Sequence, residues 1–356
     1  MSGDVTQSAL AQDDAGPLPE GVTVRPWRDG DDLALLQVWG DPADVQQHQD
    51  RALLGPDADT PWRRCLVAEE NGVPVAAGVV AAQPLHPRRL WAYVEVAPAE
   101  RRRGIGAGLL GRLRALAAEA HAAGTVPTTE LRTRFAVASR LEVGADGEPR
   151  EPDEQAAAAH AAQVAGTEAA CVAAGFTPVQ RSRRVAVVPG AVALPALRDE
   201  DHPDAPVLEE IATGSVELTR AVAEFYDAVH SWDPSTMSVG AAQRLLLAPE
   251  TGAAGAVALR TAPRAEGGRV RAFAVSYTPE RQEAPTDVFL GWDPALPEDE
   301  ARQAVADLLA MLVAQHPVQL EVDEAMTALE PIVDGLLARH AALTLVDTRI
   351  WVTDPQ

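Results

Sequence analysis

Arg101, Arg102 and Arg103 stand in a row, and Gly104, Ile105, Gly106, Ala107 and Gly108 follow without a gap. Fixed positive charge thus adjoins a stretch of backbone that carries almost no side chain. The pairing suits an anion, a pyrophosphate in particular, provided that the glycines open a helix. The first amides of a helix lack internal acceptors, the macrodipole makes that end positive, and a missing Cβ lets a ligand approach. The plainer alternative is a tight strand-to-helix turn whose arginines are only solvated.

The flanking residues supply the elements this turn needs. Trp91 to Val96 alternates aromatic, small and β-branched residues, which suits a strand, and Pro98 stops it by removing a backbone donor. Leu109, Leu113 and Leu116 recur at helical spacing. Two other phosphate motifs fail. Gly106-Ala107-Gly108-Leu109-Leu110-Gly111 satisfies G-x-G-x-x-G, but a dinucleotide site needs its strand to run almost directly into the first glycine, and here Pro98 and the arginines intervene. A P-loop needs Gly-Lys-Ser/Thr, whereas Gly111 is followed by Arg112.

Val96-Ala97-Pro98 followed by Arg101-Arg102-Arg103-Gly104-Ile105-Gly106 resembles motif A of the GCN5-related N-acetyltransferases (GNAT), in which a strand ending V-x-P leads into Q/R-x-x-G-x-G/A. The resemblance implies a GNAT fold of mixed α/β sheet and an acetyl-coenzyme A co-substrate. It places the pyrophosphate on Arg101, Arg102, Arg103, Gly104, Ile105 and Gly106, extended to Ala107 and Gly108, and the pantetheine arm on the backbone of Val94, Glu95 and Val96. No metal is expected.

Acetyl transfer to an amine needs the ammonium deprotonated before the nitrogen attacks the thioester. Glu95 lies in the motif A strand, with Tyr93 and Trp91 on the same face by strand alternation, and could accept that proton directly or through water. It could equally face the other side of the sheet or pair with an arginine such as Arg103. Members of the family commonly carry a tyrosine four residues before the glycine that ends the fourth helix, where it can protonate the leaving thiolate; here that position, before Gly175-Phe176, is Cys171. A thiol could donate a proton, but a cysteine on an alanine-rich helix is more often a small buried apolar residue.

The composition narrows the partners. Thirty Lys and Arg against 52 Asp and Glu give a formal charge of −22, the wrong sign for a nucleic-acid partner. Such a surface would steer a cationic amine, although an acidic, alanine-rich composition can also be a habit of a whole genome. Only Cys65 and Cys171 occur, so no disulfide framework is indicated. Neither a membrane span nor a signal peptide is visible, so a cytoplasmic protein acting on a small-molecule amine is expected.

Taken in order, residues 1–20 are polar and acidic and are expected to be disordered. Val22 to Trp27 reads as a strand, Asp29 to Asp32 as acidic capping of a helix through Trp39, residues 41–62 as a second helix and loop, and Asn71-Gly72 as a hairpin turn. His48, in that second helix region, is read as a surface residue. Glu130 to Val137 is the next strand, expected to splay from the motif A strand. Residues 138–153 look like an inserted loop, and a helix and closing strands carry the first domain, 21–188, to a linker at 189–206. Residues 207–356 repeat the order of elements, with strands, a helix from Pro297 to His316, a strand, a helix from Ala325 to Arg339 and a last strand pair from Leu343 to Val352. Their chemistry is different: Ala-Leu-Pro-Glu-Asp-Glu at 295–300 puts carboxylates where the arginines and glycines were, which would repel pyrophosphate. The expectation is two tandem GNAT domains, the second degenerate. Tandem domains also occur in mycothiol-synthase-like enzymes, which leaves acetylation of a cysteinyl amine open, and a non-catalytic acyl-coenzyme A sensor is a third reading.

Overall fold

Alternation along the strands decides which residues of the first sheet meet which helix layer. The computed structural model describes residues 17–139, 142–143, 149–150, 154–278 and 284–353; the expected tail falls almost wholly outside them, and the inserted loop largely so. The chain divides into two units interleaved in sequence. Met1–Phe135, Ala159–Pro178 and Ile350–Gln356 make the first, and Ala136–Ala158 with Val179–Arg349 the second.

In the first unit β1 (Val22–Pro26) precedes α1 (Asp31–Trp39) and α2 (Val45–Arg51). The acidic run does not cap α1 through its side chains. Gly30 is the N-cap, and Asp31 turns inward to accept two hydrogen bonds of 2.7 Å from the Arg25 guanidinium. β2 (Trp62–Glu70) pairs antiparallel with β1 and turns into β3 (Val73–Ala81) through Asn71 and Gly72, whose φ values of 52° and 80° give the tight turn that matches strand twist. β4 (Leu90–Val96) is antiparallel to β3, and α3 (Ile105–Ala122) links it to β5 (Leu131–Ser139), which lies parallel to β4.

Leu66, Ala68, Ala76, Val80 and Ala92 form one core with Ile105, Leu109 and Leu113 of α3. The residues between them point the other way: Val67 and Ala77 pack with Leu35 of α1, and Cys65 and Val79 with Leu53, Leu54 and Tyr93. Leu109 and Leu113 are fully buried, each contributing about 1.5–3 kcal/mol. α4 (Glu154–Ala173) and the start of β6 (Phe176–Val187) follow, with Phe176 in the α3 core. The same core holds Trp351, which stacks on Phe135 with centroids 6.0 Å apart, while the Leu131 amide donates to Thr353 Oγ1 at 2.8 Å.

The second unit runs on from Val179 in β6. After it come β7 (Val207–Glu210), α5 (Val216–Val229), β8 (Ala253–Arg260), β9 (Val270–Tyr277) and β10 (Thr286–Trp292). α6 (Glu298–Leu312), β11 (Val318–Asp323), α7 (Glu330–Ala338) and β12 (Ala342–Thr353) complete it. β7 to β10 pair antiparallel in succession, β10 is parallel to β11, and β11 is antiparallel to β6. The strand pair expected from Leu343 to Val352 is one strand, β12, and from Ile350 onward its residues belong to the first unit. The helix expected from Ala325 starts at Glu330 with Pro331 in its first turn, where a missing amide costs nothing.

Candidate active site

β4 and β5 part early. Their parallel register covers Leu90 with Leu131 and Trp91 with Arg132 and then ends, although β4 continues to Val96 and β5 to Ser139. On its other side β4 stays paired with β3 from Trp91 to Val96. The edge of β4 from Ala92 to Val96 that faces the parting therefore has no ladder partner among the described residues, and its backbone groups are available to an extended ligand.

The turn that follows lies at the end of this open edge. Pro98–Glu100 forms one 3₁₀ turn, and Arg101 Nε donates to the Val96 carbonyl at 3.0 Å. Gly104, at φ 90°, is the N-cap of α3 and offers no side chain to cap it, so the amides of the first helical turn keep no side-chain acceptor. A Cβ on Gly106 would stand 3.4 Å from Val96 Cγ2 and 3.9 Å from Val94 Cγ1; glycine lets the helix begin close against the strand.

The other turn residues divide. Arg102 and Ala107 are exposed, whereas the Ile105 side chain is in the core. Gly108 is buried under Leu18, whose Cδ2 a Cβ would meet at 2.7 Å. Arg103 binds Glu70 at 2.7 Å and also pairs with Glu100.

The opposite face of β4 carries Trp91, Tyr93 and Glu95. Glu95 is buried and does not pair with Arg103. Its Oε1 accepts from Gln47 Nε2 and Arg51 Nη2, both at 2.8 Å, and its Oε2 from Arg51 Nε at 2.9 Å and the Tyr93 hydroxyl at 2.5 Å. Burial, reinforced by the Glu95 charge, pushes the Tyr93 phenol well above its usual range. α2 delivers the partners, and its N-cap is Asp44, which accepts from the Gln47 amide at 2.8 Å.

One turn along, α2 also presents Asp50. Its Oδ1 accepts from Gln46 Nε2 at 3.1 Å and from Arg134 Nε at 2.9 Å, with Arg134 Nη2 at the same distance. Burial pushes this carboxyl up to about 6, against the opposing pull of Arg134. Arg132 and Arg134, two apart on β5, place their guanidiniums 4.6 and 4.7 Å from the centre of the Trp91 ring. Cys171 packs against the α3 core, and burial pushes its thiol up to about 11, so it is protonated at neutral pH. His48 is exposed.

Sequence reading passed over Gln46, Gln47, Asp50, Arg51 and Arg134. Their signal is spacing: Gln46 with Asp50 and Gln47 with Arg51 are helical neighbours in an α2 that lacks an apolar stripe, so its inward groups are polar. Among the described residues no group of His, Cys, Asp or Glu is arranged to hold a metal ion, and no helix is long and apolar enough to cross a membrane.

A mixed sheet whose two parallel strands part beside a glycine-opened helix is the acyl-coenzyme A N-acyltransferase fold, and the whole chain has the tandem form of it. Residues 30–134 match the acetyltransferase (GNAT) family. A GCN5-related N-acetyltransferase from Sphaerobacter thermophilus is 15% identical, with 95% of this chain and 96% of that one covered at a TM-score of 0.55. A tandem GNAT protein from the clavulanic acid biosynthesis pathway is 16% identical, covering 94% and 99% at a TM-score of 0.52. None of the curated proteins compared matches the sequence significantly.

Proposed function

We propose that the first unit transfers the acetyl group of acetyl-coenzyme A to a primary amine of a small-molecule acceptor by direct attack in a ternary complex. The observation that carries this reading is the open edge of β4 from Ala92 to Val96, ending at the uncapped start of α3. The backbone of Val94 to Val96 pairs with the pantetheine arm. The amides of Ile105, Gly106 and Ala107, with Arg101 and Arg102, receive the pyrophosphate; Gly108 contributes close packing under Leu18. The acceptor lies on the face of Trp91 and Tyr93, in the company of Glu95. The Cys171 thiol, protonated at neutral pH, is the candidate donor to the departing sulfur.

The second unit repeats the parting, since β10 and β11 pair only from Thr286 with Val318 to Val288 with Leu320. It carries no site in this reading. α6 opens with Glu298, Asp299 and Glu300, which disfavour an anion, and Phe225, Phe273 and Phe289 fill the face of β10 that would receive an acceptor, with centroids 5.7–6.1 Å apart.

Calorimetric titration of acetyl-coenzyme A tests this. One site per chain, lost in Gly106→Glu and weakened in Arg102→Glu with the fold retained by circular dichroism, is expected. Two sites would overturn the account of the second unit, and no binding would overturn the acetyltransferase reading.

A further inference from the structure

We infer that Asp50 on α2 is the group that takes the proton from the attacking amine, while Glu95 is a fixed anion that orders the pocket. The inference deepens the acetyltransferase reading of this site and stands on it. Both carboxylates are buried, and they differ in what their oxygens carry. Glu95 receives four hydrogen bonds spread over both oxygens, so a substrate proton reaches it only if Arg51, Gln47 or Tyr93 lets go. At Asp50 all the donors converge on Oδ1. Oδ2 has no partner among the described residues, in a residue only 2% exposed. Oδ2 is not among the buried side-chain atoms left without a partner, so it keeps some exposure. One oxygen clamped and the other open is also what a general base needs.

The placement agrees. Arg134, which grips Asp50, lies on β5 just beyond Arg132, where that strand leaves β4, and Tyr93, whose phenol feels the Asp50 charge, lies just beyond Trp91 on β4. Asp50 therefore stands against the parting, where thioester and amine must meet. Arg134 faces it from β5, Tyr93 from β4 with Glu95 beyond, and Asp44 and Arg51 flank it on α2; burial outweighs Arg134, so the carboxylate forms only above about pH 6. In the transfer the acceptor ammonium gives one proton to Oδ2, and the freed lone pair bonds to the acetyl carbonyl carbon. The C–S bond breaks with its electron pair on sulfur, which takes the proton of the Cys171 thiol; that thiol is restored by the second proton that nitrogen sheds, and Asp50 returns its proton to water.

The test is thiol release from acetyl-coenzyme A with putrescine, ethanolamine or glucosamine as acceptor, and with water alone, from pH 5 to 9, beside calorimetry of acetyl-coenzyme A on the same preparations. For wild type, kcat is expected to rise through an apparent pKa near 6. Asp50→Asn should keep acetyl-coenzyme A affinity within about twofold, lose about 100- to 10,000-fold in kcat/KM and lose that rise, with Asp50→Glu recovering part of both. A wild-type kcat flat across pH 5–8, or an Asp50→Asn enzyme that keeps the rise or loses less than about tenfold, overturns the assignment while leaving the acetyltransferase reading intact. Wild type that neither binds acetyl-coenzyme A nor releases thiol with any acceptor overturns that reading and this inference with it.

Discussion

Arg51 holds Glu95 through both carboxylate oxygens, Nε to Oε2 at 2.9 Å and Nη2 to Oε1 at 2.8 Å, and the two side chains are 12% and 7% exposed. The pair ties α2 to β4 and so helps to place the polar groups that α2 turns toward that strand. Removing one partner strands the other as a buried charge. Arg51→Met is expected to cost about 3–5 kcal/mol in urea unfolding, and Arg51→Met with Glu95→Leu less than the single change.

Asp50 makes stability depend on pH in a direction that can be stated. Its folded-state carboxyl lies at about 6, above the 3.8 of the unfolded chain, so between those values the native state binds the extra proton and stability from this group falls as pH rises through 6. Asp50→Asn removes that cost. The variant should gain up to about 3 kcal/mol over wild type above pH 6, the difference vanishing below about pH 4, as read from urea midpoints across pH.

The motif A arginines are not equivalent. Arg103 is held by Glu70 and Glu100, whereas Arg102, exposed at φ 62°, has no carboxylate partner among the described residues. Arg102→Ala should weaken acetyl-coenzyme A by about tenfold, the size of one charge-assisted contact, and Arg103→Ala by clearly less. Equal losses in calorimetry would mean that Arg103 leaves its carboxylates to meet the ligand.

Trp351 tests whether residues 350–353 are integral to the first unit. It is 6% exposed in the α3 core and stacks on Phe135. Trp351→Ala should cost about 3–5 kcal/mol and lower the unfolding temperature of the transition that acetyl-coenzyme A shifts, in scans with and without the ligand.

What the sequence made legible was local. The run from Trp91 to Leu116 declares strand, turn and helix within itself, and Asn71-Gly72 declares its hairpin, because the residues that decide each conformation are neighbours in the chain. The polar cluster around Glu95 and Asp50 was not legible, since Glu95 is held by residues 44 and 48 positions away and Asp50 by one 84 positions away. Strand alternation showed that Glu95 shares a face with Tyr93, but nothing in a one-dimensional pattern says which helix covers that face. The acidic start of α1 misled for the same reason: Asp31 resembles a cap, yet Arg25 on the neighbouring strand claims its oxygens. The Leu343 to Val352 segment was read as two strands because its alternation carries no mark of where one unit hands over to the other.

The return of residues 350–353 to the α3 core also governs the order in which the molecule can be made. Strand, turn and helix from Leu90 to Ala122 are made long before Trp351, so the core they share lacks that side chain until translation has passed Arg349. Completion of that core therefore waits on residues that follow Arg349.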